Sequence, residues 1–404
     1  MKAEALRGVE SVNIFRNETL AGSLTRTDRG AVFEYDAAFF EAHRSEKGGL
    51  ATHLPYAQKR IACEGVNLHP YFAGLIPEGL RLRTLEARTK TSPDDLFTLM
   101  LAAGSDCVGN LFPRLPKAKG HPLDAGVEEA TPIDRISFRE VFAASIDSHT
   151  EPAIPGVQEK LSPSVISFPF ATAGKRWILK LDPANKPGLV VNEHFFMEMA
   201  ATCGLPVAKT RLVRDRNGAP GLLVERFDRE RVGRTWRGIR QEDACQLLNR
   251  YPADKYNLTT NDIAQALGLC AAPVAERMRL IQLVAFSYLV GNGDLHGKNV
   301  SVNEARGALQ LSPAYDLLST RPYRDLKLAL KIDGRDDNLT RKQLLEFGTR
   351  FDVPARAIEN TLAQLTTAAA PFIPRVKELG CDARTTKQRV DLMKKRTADL
   401  KKKS

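Results

Sequence analysis

The run "VAERMRLIQLVAFSYLV", followed at once by "GNGDLHGKNVSV", constrains the fold more than any other feature of the chain. Its second half is apolar on nearly every face of a helix, and a helix with no polar side has to lie inside a folded lobe. That helix hands the chain to a loop of glycines, Asp, His, Lys and Asn, so a rigid buried element presents a tight polar turn. Asp294 and Asn299 stand five positions apart in it. Alternating apolar residues follow, and a further acid, Asp316 in "LSPAYDLLS", returns after a hairpin-like interval.

A chain of 404 residues with 43% hydrophobic content can bury a large core and divides into two or three domains or lobes. No apolar run approaches the roughly 20 residues that a bilayer span needs, and "MKAEALRGVESVNIF" lacks the apolar centre of a secretory signal. The expectation is a soluble cytoplasmic protein with no membrane partner. The six cysteines are scattered without the two-residue spacing of zinc or redox sites, so they read as small buried hydrophobes. A net charge of +11 favours acidic partners such as nucleic acid or nucleotide phosphates. Much of the excess lies in "KQRVDLMKKRTADLKKKS", readable as a solvated helix end or as a phosphate-contacting surface. No aromatics interleave with these lysines, which argues against a single-strand stacking platform.

The order of elements suggests an N-terminal subdomain at 1–115, a linker rich in Pro, Gly and charge at 116–134, a small lobe at 135–235 and a mainly helical lobe at 236–404. The first residues alternate like a small antiparallel meander. "SPDDLFTLMLAA" predicts a helix with Ser92 at the N-cap and Pro93 at its first position. "LSPSVISF" and "KRWILKLDP" read as two strands joined at "ATAGK". A helix from "NEHFF", stopped by Gly204 and Pro206, and the strand "APGLLVERFDR" complete the small lobe.

Phosphoryl transfer from ATP needs a carboxylate to position the acceptor, an amide and a carboxylate for Mg²⁺, and a lysine on the phosphates. Asp294 and Asn299 keep the Asp-to-Asn interval of a kinase catalytic loop, and Asp316 falls where a second metal-binding carboxylate returns. Lys180 in "WILKLDP" is the lysine candidate, with Glu193 on the next helix as its partner. Each piece alone has a bland reading, an Asx-stabilised turn or a surface lysine. Their order along the chain carries the inference. The loop "GDLHGKN" resembles the form used by aminoglycoside and choline phosphotransferases, and no G-x-G-x-x-G is present to cover the nucleotide.

"IPGVQEKLS" at 154–162 supplies a different phosphate loop, and with it the chain resembles the HipA family of serine/threonine protein kinase toxins. "VERFDR", "QEDACQ", "GNGDLHGKN" and "PAYDLLS" follow in the family's order, and "YFAGLIPEGLRLR" with "DDLFTLMLAAGSDCVGNL" resembles its N-terminal subdomain. The fold implied is α+β: a two-lobed protein-kinase-like fold, with a small N-terminal α/β subdomain and a mainly helical C-terminal lobe. The resemblance implies that Asp294 is the catalytic base and that Asn299 and Asp316 bind Mg²⁺. ATP phosphates would meet Lys180 and the backbone of Pro155, Gly156, Val157, Gln158, Glu159 and Lys160. Main-chain atoms of Glu225 and Phe227, on either side of Arg226, would meet the adenine. His296, Gly297 and Lys298 would line the nucleotide side of the loop, with Tyr315 flanking the metal carboxylate.

The implied partners are a small helix-turn-helix antitoxin (HipB-like), operator DNA reached through the antitoxin complex, and a protein substrate of the translation apparatus, an aminoacyl-tRNA synthetase. Family members commonly carry a Ser three residues before the phosphate-loop Gly, and its autophosphorylation switches the kinase off. Here that position is Ala153, which has no hydroxyl to accept phosphate: either the natural chain lacks this brake or a serine has been replaced there. Two other readings stay open on the residues: a small-molecule phosphotransferase, favoured by the loop form, and a non-catalytic DNA-associated corepressor, favoured by the basic tail.

Overall fold

A computed structural model of the chain describes residues 3–64, 68–104, 107–116, 132–140, 166–172, 174–183, 186–305, 307–323 and 327–402. The N-terminal unit is a five-stranded antiparallel sheet in the order Arg60–Glu64, Gly30–Tyr35, Thr19–Thr27, Ser11–Arg16, Leu111–Arg114. The expected meander is its centre. Val12, Ile14, Leu24 and Phe33 point to one face, where they bury against Phe72, Phe97 and Leu99. The helix expected to begin at Ser92 runs instead over Leu96–Ala103, and Asp95 is its N-cap, accepting from Thr98 N at 3.1 Å. Burial of Phe97, Leu99 and Met100 sets that register, and Ser92 Oγ accepts from Asp94 N in the preceding turn.

The small lobe is a four-stranded antiparallel sheet, Thr210–Arg214, Pro220–Glu225, Lys175–Leu181, Ile166–Thr172. The helix Leu189–Thr202 packs on it with Phe196, Met199 and Ala200 fully buried. Sequence reading missed Thr210–Arg214, an edge strand whose two apolar residues are flanked by arginines.

The long helix Pro273–Val290 is the axis of the large lobe, buried around its second half and packed by Ala355–Ala369 and Ala383–Lys401. The lobe is mainly helical, as expected, with a small sheet among its helices. Gln241–Asp243, Ser301–Ala305 and Ala308–Leu311 form a three-stranded antiparallel sheet beneath the polar loop. The basic tail is not merely a solvated helix. Arg389, Met393, Arg396 and Leu400 recur at helical spacing and are buried, while Lys387, Lys394 and Lys395 stay outside. Arg396 donates to the Tyr288 carbonyl at 2.6 Å, satisfying an acceptor in the last turn of the long helix.

The N-terminal unit is bolted to both lobes. Asp228 receives Arg226 at 2.9 and 2.7 Å, Arg229 at 2.7 Å and the Gly109 N–H at 3.0 Å. The two guanidinium groups also donate to the Cys107 and Gly109 carbonyls. Burial works against charge on Asp228, and the two arginines overcome it, holding the carboxyl far below its ordinary pKa. Nearby, the Glu242 carboxylate accepts from Thr52 N and Arg240, and Gln246 Nε2 donates to the Tyr71 carbonyl.

Candidate active site

The long helix ends at Gly291, whose φ of 73° turns the chain into the polar loop. Asp294 N donates to Asn292 Oδ1 at 3.0 Å, and Asn299 Nδ2 donates back to the Asp294 carbonyl at 2.8 Å, so two amides brace the loop from inside. At Gly297 a Cβ would lie 2.5 Å from Leu258 Cδ1 and 3.1 Å from Cys245 Sγ; glycine lets the loop press onto the protein beneath. Tyr315 OH donates to the Lys298 carbonyl at 2.7 Å and meets Ser301 Oγ at 2.5 Å, tying the loop to the segment that carries Asp316. Asp316 itself holds φ at 57°, a left-handed backbone that costs a non-glycine residue about 1–2 kcal/mol.

Three elements converge on one ammonium. Lys180, from the strand Lys175–Leu181, lies 2.7 Å from Glu193 Oε1 and 2.8 Å from Asp316 Oδ1. Burial opposes charge on Lys180, but the two carboxylates more than offset it and keep the ammonium protonated. For Asp316 burial also works upward, and Lys180 pulls the carboxyl below its usual range. Glu193 is fully buried, and that burial pushes its carboxyl up to about 7 against the pull of Lys180. Asp294 is raised, chiefly by burial, with Asp316 adding and His296 and Tyr256 pulling down. The His296 ring, 3.9 Å from Asp294, has its pKa lowered by burial.

Some of the sequence-derived positions look elsewhere. Lys298, expected on the nucleotide side, turns its ammonium to Asp243 at 2.8 Å and to the Gly74 carbonyl at 3.2 Å, at the N-terminal unit. Where only main-chain contact with the adenine was expected, the side chains serve other partners: Arg226 commits its guanidinium to Asp228, and Glu225 pairs with Lys175 at the surface. Phe227 packs against Tyr315 with ring centroids 5.7 Å apart. Pro155, Gly156, Val157, Gln158, Glu159, Lys160 and Ala153 lie outside the described residues. Sequence reasoning missed Tyr256, whose OH donates to Asp294 Oδ1 at 2.8 Å, and Asp243, the partner of Lys298. "YPADKYN" reads as a turn and carries no signal for the former.

Among the described residues no three His, Cys, Asp or Glu side chains gather to cage a metal. Mg²⁺ takes few protein ligands and completes its octahedron with water and phosphate oxygens. The hard oxygens of Asp316 and the neighbouring Asn299 fit that demand, and Lys180 occupies one of the Asp316 oxygens.

Residues 12–112 match the family model of the HipA N-terminal domain, and residues 153–371 match that of the HipA-like C-terminal domain. Y4mE of Sinorhizobium fredii, which carries the name of a kinase, is 30% identical over 93% of this chain and 94% of its own length. The serine/threonine-protein kinase toxin HipA of Shewanella oneidensis is 28% identical over 76% of both chains. Among solved structures, a complex of HipA, HipB and operator DNA from Shewanella oneidensis MR-1 superposes with a TM-score of 0.75 at 21% identity, covering 96% of this chain and 97% of the other. The fold is therefore the α+β, two-lobed, kinase-like one.

Proposed function

The chain belongs to the HipA family, and from that premise we propose that it is a serine/threonine protein kinase acting as the toxin of a toxin-antitoxin pair. The observation that carries the reading is the meeting of Lys180, Glu193 and Asp316 beside Asp294. Asp294 accepts the hydrogen bond of the incoming hydroxyl, orients it and takes its proton. Its raised pKa moves it toward the range where a general base works well near neutrality. Lys180, aimed by Glu193, sets its ammonium on the nucleotide phosphates, and in doing so leaves Asp316. Asn299 and Asp316 would hold Mg²⁺, which when bound neutralises phosphate charge. Pro155, Gly156, Val157, Gln158, Glu159 and Lys160 would cover the phosphates, and the main chain around Glu225, Arg226 and Phe227 would meet the adenine.

The proposed substrate is a cytoplasmic translation protein, an aminoacyl-tRNA synthetase. The proposed partner is a HipB-like helix-turn-helix antitoxin, with operator DNA reached through their complex, which fits the exposed face of Lys387, Lys394 and Lys395. Among the described residues no helix is long and apolar enough to cross a membrane, which suits a cytoplasmic setting. The test is transfer of γ-phosphate from ATP in a translation extract, comparing the protein with Asp294→Asn and identifying labelled proteins by mass spectrometry. A labelled synthetase that vanishes with the variant supports the reading. ATP binding without any labelled protein sinks it in favour of a small-molecule kinase or a corepressor.

A further inference from the structure

Main-chain bracing leaves one question at Asp294. Asn292 and Asn299 fix its backbone, yet neither touches the carboxyl. His296 stands 3.9 Å away, beyond hydrogen-bond reach. Among the described residues the only hydrogen bond to that carboxyl is the one from Tyr256 OH, at 2.8 Å. Asp294 is about 40% exposed on its side chain, so without such a tie its carboxyl is free to change rotamer.

Tyr256 is not placed there by the hydrophobic effect, since it is 52% exposed at the mouth of the site. Its ring stands edge-on to His296, with centroids 5.0 Å apart and planes at 87°. The preceding residue is held from two directions. The Lys255 carbonyl accepts from Gly297 N at 2.9 Å, and Lys255 Nζ pairs with Glu78 of the N-terminal unit at 3.0 Å. Tyr251 OH adds a bond to the Leu68 carbonyl of that unit at 2.8 Å.

We propose that Tyr256 is a positioning residue for phosphoryl transfer: it clamps Asp294 Oδ1 and leaves Oδ2 for the acceptor hydroxyl, with the N-terminal unit holding the clamp in place through residues 251–256. The inference rests on the kinase reading above. A charge-assisted O–H···O⁻ bond from a half-exposed ring needs little of the core around it, and it fixes the carboxyl on the side where a protein acceptor arrives. The N-terminal unit thereby reaches the catalytic base through a chain of contacts that leaves the nucleotide side untouched.

The experiment measures γ-phosphate transfer by the full chain, Asp294→Asn and Tyr256→Phe on the labelled protein acceptor, with ATP and acceptor concentrations varied separately. Removing the hydroxyl is expected to lower kcat about 10–100-fold, the size of effect that misplacing a reacting group produces. The KM values for ATP and acceptor stay within about 2-fold, as for an interaction made only at the chemical step. An unchanged Tm shows that the fold is intact. A Tyr256→Phe protein with wild-type kcat overturns the proposal, as does one with raised kcat, which would make Tyr256 a plug over the base. If the wild-type chain transfers phosphate and Asp294→Asn does not, those outcomes sink this inference alone. If the wild type transfers none, the kinase reading fails and this inference fails with it.

Discussion

Two buried clusters of charge, one at Lys180 and one at Asp228, look alike in composition and behave differently. At Asp228 two guanidinium groups surround one carboxylate, and the surplus of donors ends on the Cys107 and Gly109 carbonyls. At Lys180 two carboxylates surround one ammonium, with the carboxyl of Asp294, held by Tyr256 OH, close by. The first cluster is closed by the protein's own backbone. The second, among the described residues, sets two carboxylates against one ammonium and so is short of positive charge. A cluster closed by its own donors needs nothing further, whereas a surplus of carboxylates is an imbalance that a bound cation would neutralise.

The comparison breaks most visibly at Asp294, the proposed general base. Asp294→Asn should lower phosphate transfer about 10²–10⁴-fold, the usual worth of a general base, while ATP still binds by calorimetry and Tm barely moves. The Asp228 cluster should respond in the opposite way. Asp228→Asn leaves two arginines buried without their counter-charge and should cost about 3–5 kcal/mol of stability by denaturant titration. The part of the population that stays folded should keep its kcat.

Acid probes the same junction without mutation. The folded pKa of Asp228 is depressed below its unfolded value of about 3.9. Its contribution is therefore complete above that value and is lost as pH falls through the depressed one. Wild-type stability should drop on acidification in that window more steeply than that of Asp228→Asn, as followed by circular dichroism.

Ligand linkage sharpens the contrast further. Mg-ATP at about 100 times its Kd should stabilise the wild type by about 2.7 kcal/mol. Asp316→Asn should lose most of that increment, and Asp228→Asn should retain it on a lower baseline. The smallest effect belongs to a pair in neither cluster: Lys175→Ala removes an exposed partner of Glu225 and should cost less than about 1 kcal/mol by thermal melt.

What the sequence made legible was whatever depends on short spacing. Asp294 and Asn299 sit on one loop, and the apolar run before them fixed the long helix as buried. Lys180 on a strand and Glu193 on the helix after it read as partners, and they lie 2.7 Å apart. Contacts set by tertiary packing left no local trace. Tyr256 reaches Asp294 across 38 positions, and Arg389 finds Asn192 across 197. Arg389 and Arg396 looked like any other cations in a basic tail, since burial of an arginine depends on acceptors that come from elsewhere. The Ser92 cap failed for a related reason: two capping residues compete within four positions, and core packing of Phe97 and Leu99 chooses Asp95.

The Arg396 bond to the Tyr288 carbonyl joins residues 108 positions apart, and it seats the end of the helix from which the polar loop departs. On a ribosome adding about 5–20 residues per second, Tyr288 waits about 5–20 seconds for that arginine to be made. Through this interval Asp294 has been synthesised but the last turn of the helix behind it lacks its bond from Arg396. Synthesis itself thus orders events: the helix Ala383–Lys401 arrives late, and its docking completes the packing around the long helix.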